Sequence, residues 1–94
     1  MTISIAGLFD PGKIVVTASL AEHRASLKPY LNRHLKGDWG NLNKEDRQSN
    51  DLAVKAGDLR IFSAYETDIE DVGKIWIITE ADRSATTILR PGEY

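Results

Sequence analysis

The sequence predicts an α+β fold in which an N-terminal strand and two to three helices are followed by a three-stranded antiparallel β-meander. An apolar face recurs at helical spacing after Ser26, and three runs of strand-type composition follow Gly57. The connections between those runs are short, which favours antiparallel pairing of sequential strands. With 94 residues, 41% hydrophobic and 28% charged, the chain has the size and composition of one domain spanning residues 1–94.

The first elements are short. A β-branched run from Lys13 to Thr17 follows the turn sequence Asp10-Pro11-Gly12, so this run is predicted to be a strand. Ser19 precedes Glu22 by three residues, a spacing that resembles a capping box. The spacing predicts a short helix from Leu20 to Ala25.

The main helix is predicted after Ser26, which is placed as its N-cap. Pro29 is compatible with this helix only within its first turn, and Gly37 suits the left-handed position after its end. The apolar face repeats at i, i+3, i+4, i+7 and i+8 and consists of Leu27, Tyr30, Leu31, His34 and Leu35.

A second helix is predicted between Asn43 and Gly57. Asn43 with Asp46 three residues later marks a helix start, and Gly57 marks the end. The interior is very polar, so the helix is expected on the surface, docked mainly through its C-terminal half. The apolar residues there are Leu52, Ala53, Val54 and Ala56.

The remaining chain has strand character. Residues alternate from Leu59 to Tyr65, and the run from Lys74 to Glu80 is the strongest strand signal. Another strand is predicted from Ala85 to Arg90, before Pro91. Because side chains alternate across a strand, Trp76 is placed on the sheet face opposite Ile75 and Ile77. If helices cover only one face, Trp76 and Ile78 need another cover, which an oligomer or a protein partner could supply.

Composition restricts the possible functions. The net charge of −2 and the pI near 5.6 provide no general basic field for nucleic acid. The absence of cysteine excludes disulfides and thiolate metal sites. Residues Met1 to Phe9 lack a basic signal-peptide start, and no apolar run approaches the ~18 residues of a membrane span. We expect a cytoplasmic protein without a membrane segment.

No catalytic motif stands out. His23 and His34 are the only histidines and have no metal-ligand spacing, and His34 is interpreted as a structural histidine on an apolar helix face. No serine lies in a G-x-S-x-G elbow, and neither a P-loop nor a G-x-G-x-x-G motif occurs. The sequence therefore predicts no metal and no cofactor and favours a non-enzymatic role.

Two loops carry candidate binding residues. The predicted turn at Glu80, Asp82, Arg83 and Ser84 could hold an anion or a side chain of a partner. Alternatively, Asp82 and Ser84 bond to the turn backbone while Arg83 pairs with Glu80 or Asp82.

The second loop contains Asp38 and Trp39 immediately after the main helix. Trp39 either closes one edge of the core or stands out as an anchor for a partner.

Basic residues cluster in the predicted helical region. The cluster consists of His23, Arg24, Lys28, Arg33 and Lys36. If these side chains form one stripe, it is either a solvated helix face or a docking site for an acidic partner or a phosphate backbone.

Two long motifs carry a family resemblance. The loop Gly37-Asp38-Trp39-Gly40 and the segment IWIITEADRSATTIL, from Ile75 to Leu89, resemble a family of small bacterial proteins. The resemblance covers the C-terminal two thirds of the chain. Its members are often labelled hypothetical or plasmid-related, so it implies a bacterial origin on a mobile element and no known activity. The chain departs from the pattern at Arg90, where a second leucine is expected.

The leading hypothesis is a non-enzymatic cytoplasmic protein-interaction module, with a protein partner or a homo-oligomer bound through Trp39 or the turn at Asp82 and Arg83. A nucleic-acid-binding accessory protein, using the basic cluster, is the second hypothesis. The third is a small-ligand-binding protein or enzyme that uses the turn from Glu80 to Arg83 together with His34.

Overall fold

A computed structural model describes residues 7–93 of the chain and confirms the α+β class. The strands are β1 (Lys13–Val16), β2 (Ile61–Glu66), β3 (Lys74–Thr79) and β4 (Ala85–Leu89), and the helices are α1 (Arg24–Leu35) and α2 (Lys44–Ala56). A 3-10 helix, Ala18–His23, leads directly into α1. Within the described residues, no helix is long and apolar enough to cross a membrane.

The sheet is mixed and has four strands in the order β1-β4-β3-β2. The predicted antiparallel meander is present as β2, β3 and β4, but a three-stranded sheet was wrong because β1 joins β4 in parallel. Gly12 makes this junction possible. Its φ is +63°, and a Cβ atom there would overlap the backbone of Arg83 and Ser84. The chain therefore enters β1 in close contact with the turn that precedes β4.

The helices begin differently from the prediction. The capping box was wrong because Ser19 lies inside the 3-10 helix and its hydroxyl donates to the Glu93 carboxylate at 2.6 Å. Ser26 lies inside α1 and is not its cap, since α1 continues from the 3-10 helix and begins at Arg24. Pro29 consequently lies in the second turn. The predicted start of α2 is confirmed, because the Asn43 side chain accepts from the Asp46 N–H at 2.8 Å.

The core lies between one face of the sheet and the layer formed by α1 and the 3-10 helix. The main cluster joins Leu20, Leu27, Tyr65, Val72, Ile75, Ile77 and Ile88. A smaller cluster of Trp39, Ala53 and Ile61 lies beneath α2. Ile75 and Ile77 thus face the helices, while Trp76 lies on the opposite face of the sheet.

Candidate functional site

The Gly37-Asp38-Trp39-Gly40 loop fastens the end of α1 to β2. The Asp38 carboxylate accepts from the Arg33 Nε at 2.7 Å, and this hydrogen bond holds the pKa of Asp38 below its usual range. Gly40 has a φ of +75°, and a Cβ atom there would overlap the Ala64 carbonyl. The loop runs so close to β2 that the backbones of Gly40 and Ala64 form a β-bridge.

Trp39 lies in the core. Its side chain is 5% exposed, its Nε1 donates to the Asp51 carboxylate at 3.1 Å, and its ring stacks on Phe9 with centroids 6.4 Å apart. The ring therefore offers no surface for a partner.

The turn between β3 and β4 is held by its own side chains. The Asp82 carboxylate accepts from the Ser84 N–H at 2.9 Å, and hydrogen bonding to Ser84 lowers the pKa of Asp82. Arg83 does not pair with a carboxylate. Its Nη1 donates to the Leu59 carbonyl at 2.7 Å and also to the carbonyls of Glu80 and Ala81, and its Nη2 donates to the Ala53 carbonyl at 2.9 Å. Arg83 thus ties the turn to the end of α2.

The basic cluster does not form one stripe. Arg33 follows Arg24 by nine residues, which at ~100° per residue places the two side chains on opposite sides of α1. The Arg33 guanidinium is bound to Asp38 and lies over the Tyr65 ring, 4.6 Å from its centroid. Arg24 and Lys28 flank a separate apolar groove beside β1.

His34 is the centre of a buried chain of hydrogen bonds that fixes its tautomer. The Pro11 carbonyl can only accept, so the Thr86 hydroxyl donates to it at 2.7 Å. Thr79 must then donate to Thr86 at 2.7 Å, and the His34 Nε2 must donate to Thr79 at 2.9 Å. The unprotonated Nδ1 is left to accept from the Ser63 hydroxyl at 2.5 Å.

The His34 network is structural. A serine bonded to a histidine has the geometry of a nucleophile and its base, but His34, Ser63 and Thr79 are all completely buried. Burial lowers the pKa of His34 to about 3, so the ring is neutral at physiological pH. No substrate can reach the pair in this structure. Among residues 7–93, no three histidine or acidic side chains are grouped so as to hold a metal ion.

The second face of the sheet is a further candidate site, and we call it the open face. Its central residues, taken from the strand register, are Val15, Phe62, Ala64, Trp76, Ile78, Thr87 and Leu89. Trp76 and Phe62 are partly exposed and meet edge to face, with ring centroids 5.2 Å apart. The protein is only 19 Å thick against 39 and 36 Å in its other dimensions, as expected for one helical layer on one sheet.

Two shallow depressions flank Trp76. One, of about 300 Å³, lies between Trp76 and α2 and is lined by Asp46, Asn50, Arg60 and Phe62. The other, of about 350 Å³, lies towards the far end of the strands and is lined by Glu66 and Lys74. Trp76 therefore separates the two depressions, and charged side chains line the outer end of each depression.

The open face ends at β2 because α2 closes that edge. The Asn50 side chain donates to the Phe62 carbonyl at 2.6 Å and accepts from the Phe62 N–H at 3.1 Å. This amide makes the two hydrogen bonds to Phe62 that a neighbouring strand would otherwise make. Asn50 was not predicted as a contact residue, although its spacing of three residues from Ala53 places both side chains on the docked side of α2.

Comparisons with protein-family models, curated proteins and solved structures give no significant match to this chain. Its function has to be argued from the geometry of the open face.

Proposed function

We propose that this chain is a non-enzymatic cytoplasmic protein-interaction module that binds through the open face. The observation that carries the proposal is the apolar band formed by Trp76, Phe62 and their neighbours on a sheet face that no helix within residues 7–93 covers. In an antiparallel sheet, a face towards water ordinarily alternates to polar residues. Here the positions next to Trp76 on this face hold Ala64 and Leu89 instead. Leu89 and Ile78 are already buried, at 2% and 3% exposed, so the accessible part of the band comes from partly exposed residues such as Trp76 and Phe62.

The arrangement of the open face also suits binding. Tryptophan and other aromatic residues are enriched at protein interfaces and supply much of the binding energy when a partner excludes water from them. Charged side chains form the rim: Glu66 and Lys74 occupy opposite positions in the strand ladder at one end, and Arg60 lies at the other. An apolar centre inside a polar rim is the usual anatomy of a recognition surface.

The two alternative functions have less support. Nucleic-acid binding through the basic cluster needs cations on one side, whereas Arg24 and Arg33 lie on opposite sides of α1. A ligand site at the turn needs Arg83 and His34 to present free donors. The Arg83 guanidinium is bound to carbonyls, and both ring nitrogens of His34 are bonded in the core.

The test is capture by the tagged protein from nuclease-treated lysate, followed by affinity measurement on each captured protein after purification. Trp76→Ala is expected to weaken binding at least tenfold, because it removes the central side chain of the band. Leu52→Ala is the matched control, since Leu52 is 57% exposed on α2 and away from the open face. Circular dichroism checks that both variants fold.

Binding that survives Trp76→Ala unchanged would refute the assignment of the open face. Material that disappears on nuclease treatment would instead support the nucleic-acid alternative.

A further inference from the structure

The charged residues at the two ends of the open face are arranged symmetrically. Glu66 ends β2 and Arg60 is the residue before β2, and each lies three residues from Ser63. Lys74 begins β3 and Glu80 is the residue after β3, and each lies three residues from Ile77. Ser63 and Ile77 are direct partners in the ladder, so both charge pairs have the same centre.

All four charged side chains belong to the open face. Glu66 and Lys74 line one depression beside Trp76, and Arg60 lines the other. The Glu80 N–H donates to the Ala85 carbonyl at 2.9 Å, so the ladder continues past β3 and the alternation places Glu80 on the face of Ile78. Each end of the open face therefore carries charges of both signs, and Lys13 and Asp46 add one more of each at the end with Arg60 and Glu80.

We propose that a second copy of this chain covers the open face, related by a two-fold axis that crosses the strands at the level of Ser63 and Ile77. Rotation about this axis places Glu66 over Arg60 of the second copy and Lys74 over Glu80 of the second copy. Each of these four charges then meets an opposite charge. The inference rests on the proposed function, because it names the partner of the same surface.

The apolar band is complementary under the same rotation. Phe62 and Ala64 are each one residue from Ser63, so the large ring of Phe62 lies over the small side chain of Ala64 in the second copy. Trp76 lies over the depression beside α2, whose lining includes the buried side chain of Ile78. Two sheets packed at ~10 Å interdigitate by placing large side chains against smaller ones.

The dimensions and the charge of the open face agree with this partner. The molecule extends 39 and 36 Å along its two longer axes, so its broad side has room for the ~800 Å² per partner that a standard interface buries. Mixed charges at both ends give no single sign to attract a strongly acidic or strongly basic partner. The resulting dimer has four layers, with helices outside and the two sheets inside.

The test uses sedimentation velocity and light scattering on the full chain from about 1 to about 200 µM, a range suited to an interface of standard size. The wild type is expected at twice its monomer mass of 10.5 kDa. Glu66→Lys alone and Arg60→Glu alone place like charges opposite each other at two positions. Each is expected to weaken association at least tenfold.

An equimolar mixture of Glu66→Lys with Arg60→Glu restores attraction at both positions, so a heterodimer is expected with close to the wild-type affinity. A variant that merely misfolds cannot be rescued in this way. Lys28→Glu is the matched control for charge reversal, since Lys28 is exposed on α1, in the opposite layer, and should leave the dimer unchanged.

A wild type that stays monomeric throughout the range would overturn the inference. Trp76-dependent binding of a different protein would then leave the proposed function standing. A dimer that resists both single reversals, or a mixture that does not reassociate, would also overturn it. If Trp76→Ala changes neither self-association nor capture of another protein, the inference and the proposed function both fail.

Discussion

Acid should destabilise this protein through His34, well above the pH at which carboxylates titrate. The ordinary pKa of 6.5 applies to His34 in the unfolded chain, whereas burial lowers the pKa to about 3 in the folded protein. Below pH 6.5 His34 therefore binds a proton in the unfolded state but not in the folded state. The stabilising contribution is complete above pH 6.5 and is lost progressively as the pH falls to about 3.

The magnitude follows from the difference in proton uptake. The free energy of unfolding should fall by about 1.4 kcal/mol for each pH unit below the ordinary pKa, or about 2 kcal/mol at pH 5. Such a loss is a large share of the stability of a small domain. Hydrogen bonds hold the pKa values of Asp38, Asp82 and Glu93 below their usual range, so their contributions are lost only at lower pH.

The assay is urea unfolding at several values between about pH 7.5 and about pH 5, where the effect of His34 is isolated. His34→Gln should be less stable at neutral pH because it disturbs the bonds to Ser63 and Thr79, but it should lose the steep acid dependence. His23→Gln is the matched control, since it removes the other histidine, which lies outside the buried network. Imidazole nitrogen NMR should find the proton of His34 on Nε2.

The interpretation of His34 as a buried neutral ring fails if the wild type and His34→Gln lose stability equally as the pH falls. It also fails if the Nδ1 atom carries the proton, because the direction of the whole chain from Pro11 to Ser63 would then be wrong.

The remaining stability predictions concern the two loops. Gly40→Ala should cost more than the ~1 kcal/mol expected of Gly57→Ala, because both glycines have positive φ but only a Cβ at Gly40 would overlap the Ala64 carbonyl. Equal melting temperatures for the two variants would contradict this reasoning. Arg83→Met should cost about 1–3 kcal/mol in thermal unfolding, because it leaves backbone carbonyls without their donor. Lys28→Met, which changes an exposed cation, is the control, and an equal effect of both substitutions would exclude a special role for Arg83.

Local signals predicted the elements whose ends are fixed by local chemistry. Asn43 and Gly57 bound α2 as expected, because a cap bond and a left-handed residue act within a few residues of the chain. The caps at Ser19 and Ser26 were wrong since the 3-10 helix leads directly into α1 and gives neither serine a helix start. The parallel pairing of β1 with β4 could not be predicted, because periodicity identifies a strand but not its distant partner.

The candidate site was predicted in part. Alternation along β3 placed Trp76 away from the core, and the structure confirms that position. The same alternation in β2 could have identified Phe62 and Arg60 as its neighbours, but their meeting requires the register between strands. The role of Arg83 was hidden because its acceptors, including the Leu59 carbonyl, are backbone atoms of a loop distant in sequence.

The side-chain amide of Asn50 gives α2 a structural role that the polar composition of the helix does not indicate. By filling the hydrogen-bonding positions of Phe62, it blocks one part of the outer edge of β2. The loop after α1 blocks the next part, because the Ala64 N–H donates to the Trp39 carbonyl and the Ala64 carbonyl accepts from the Asn41 N–H. A strand from another molecule would therefore have to displace both α2 and the loop to pair with β2, whereas the second copy proposed above would bind the open face and leave them in place. Fraying of α2 alone would free only the backbone groups of Phe62, so two separate segments protect this edge from the strand-to-strand pairing that leads to aggregation.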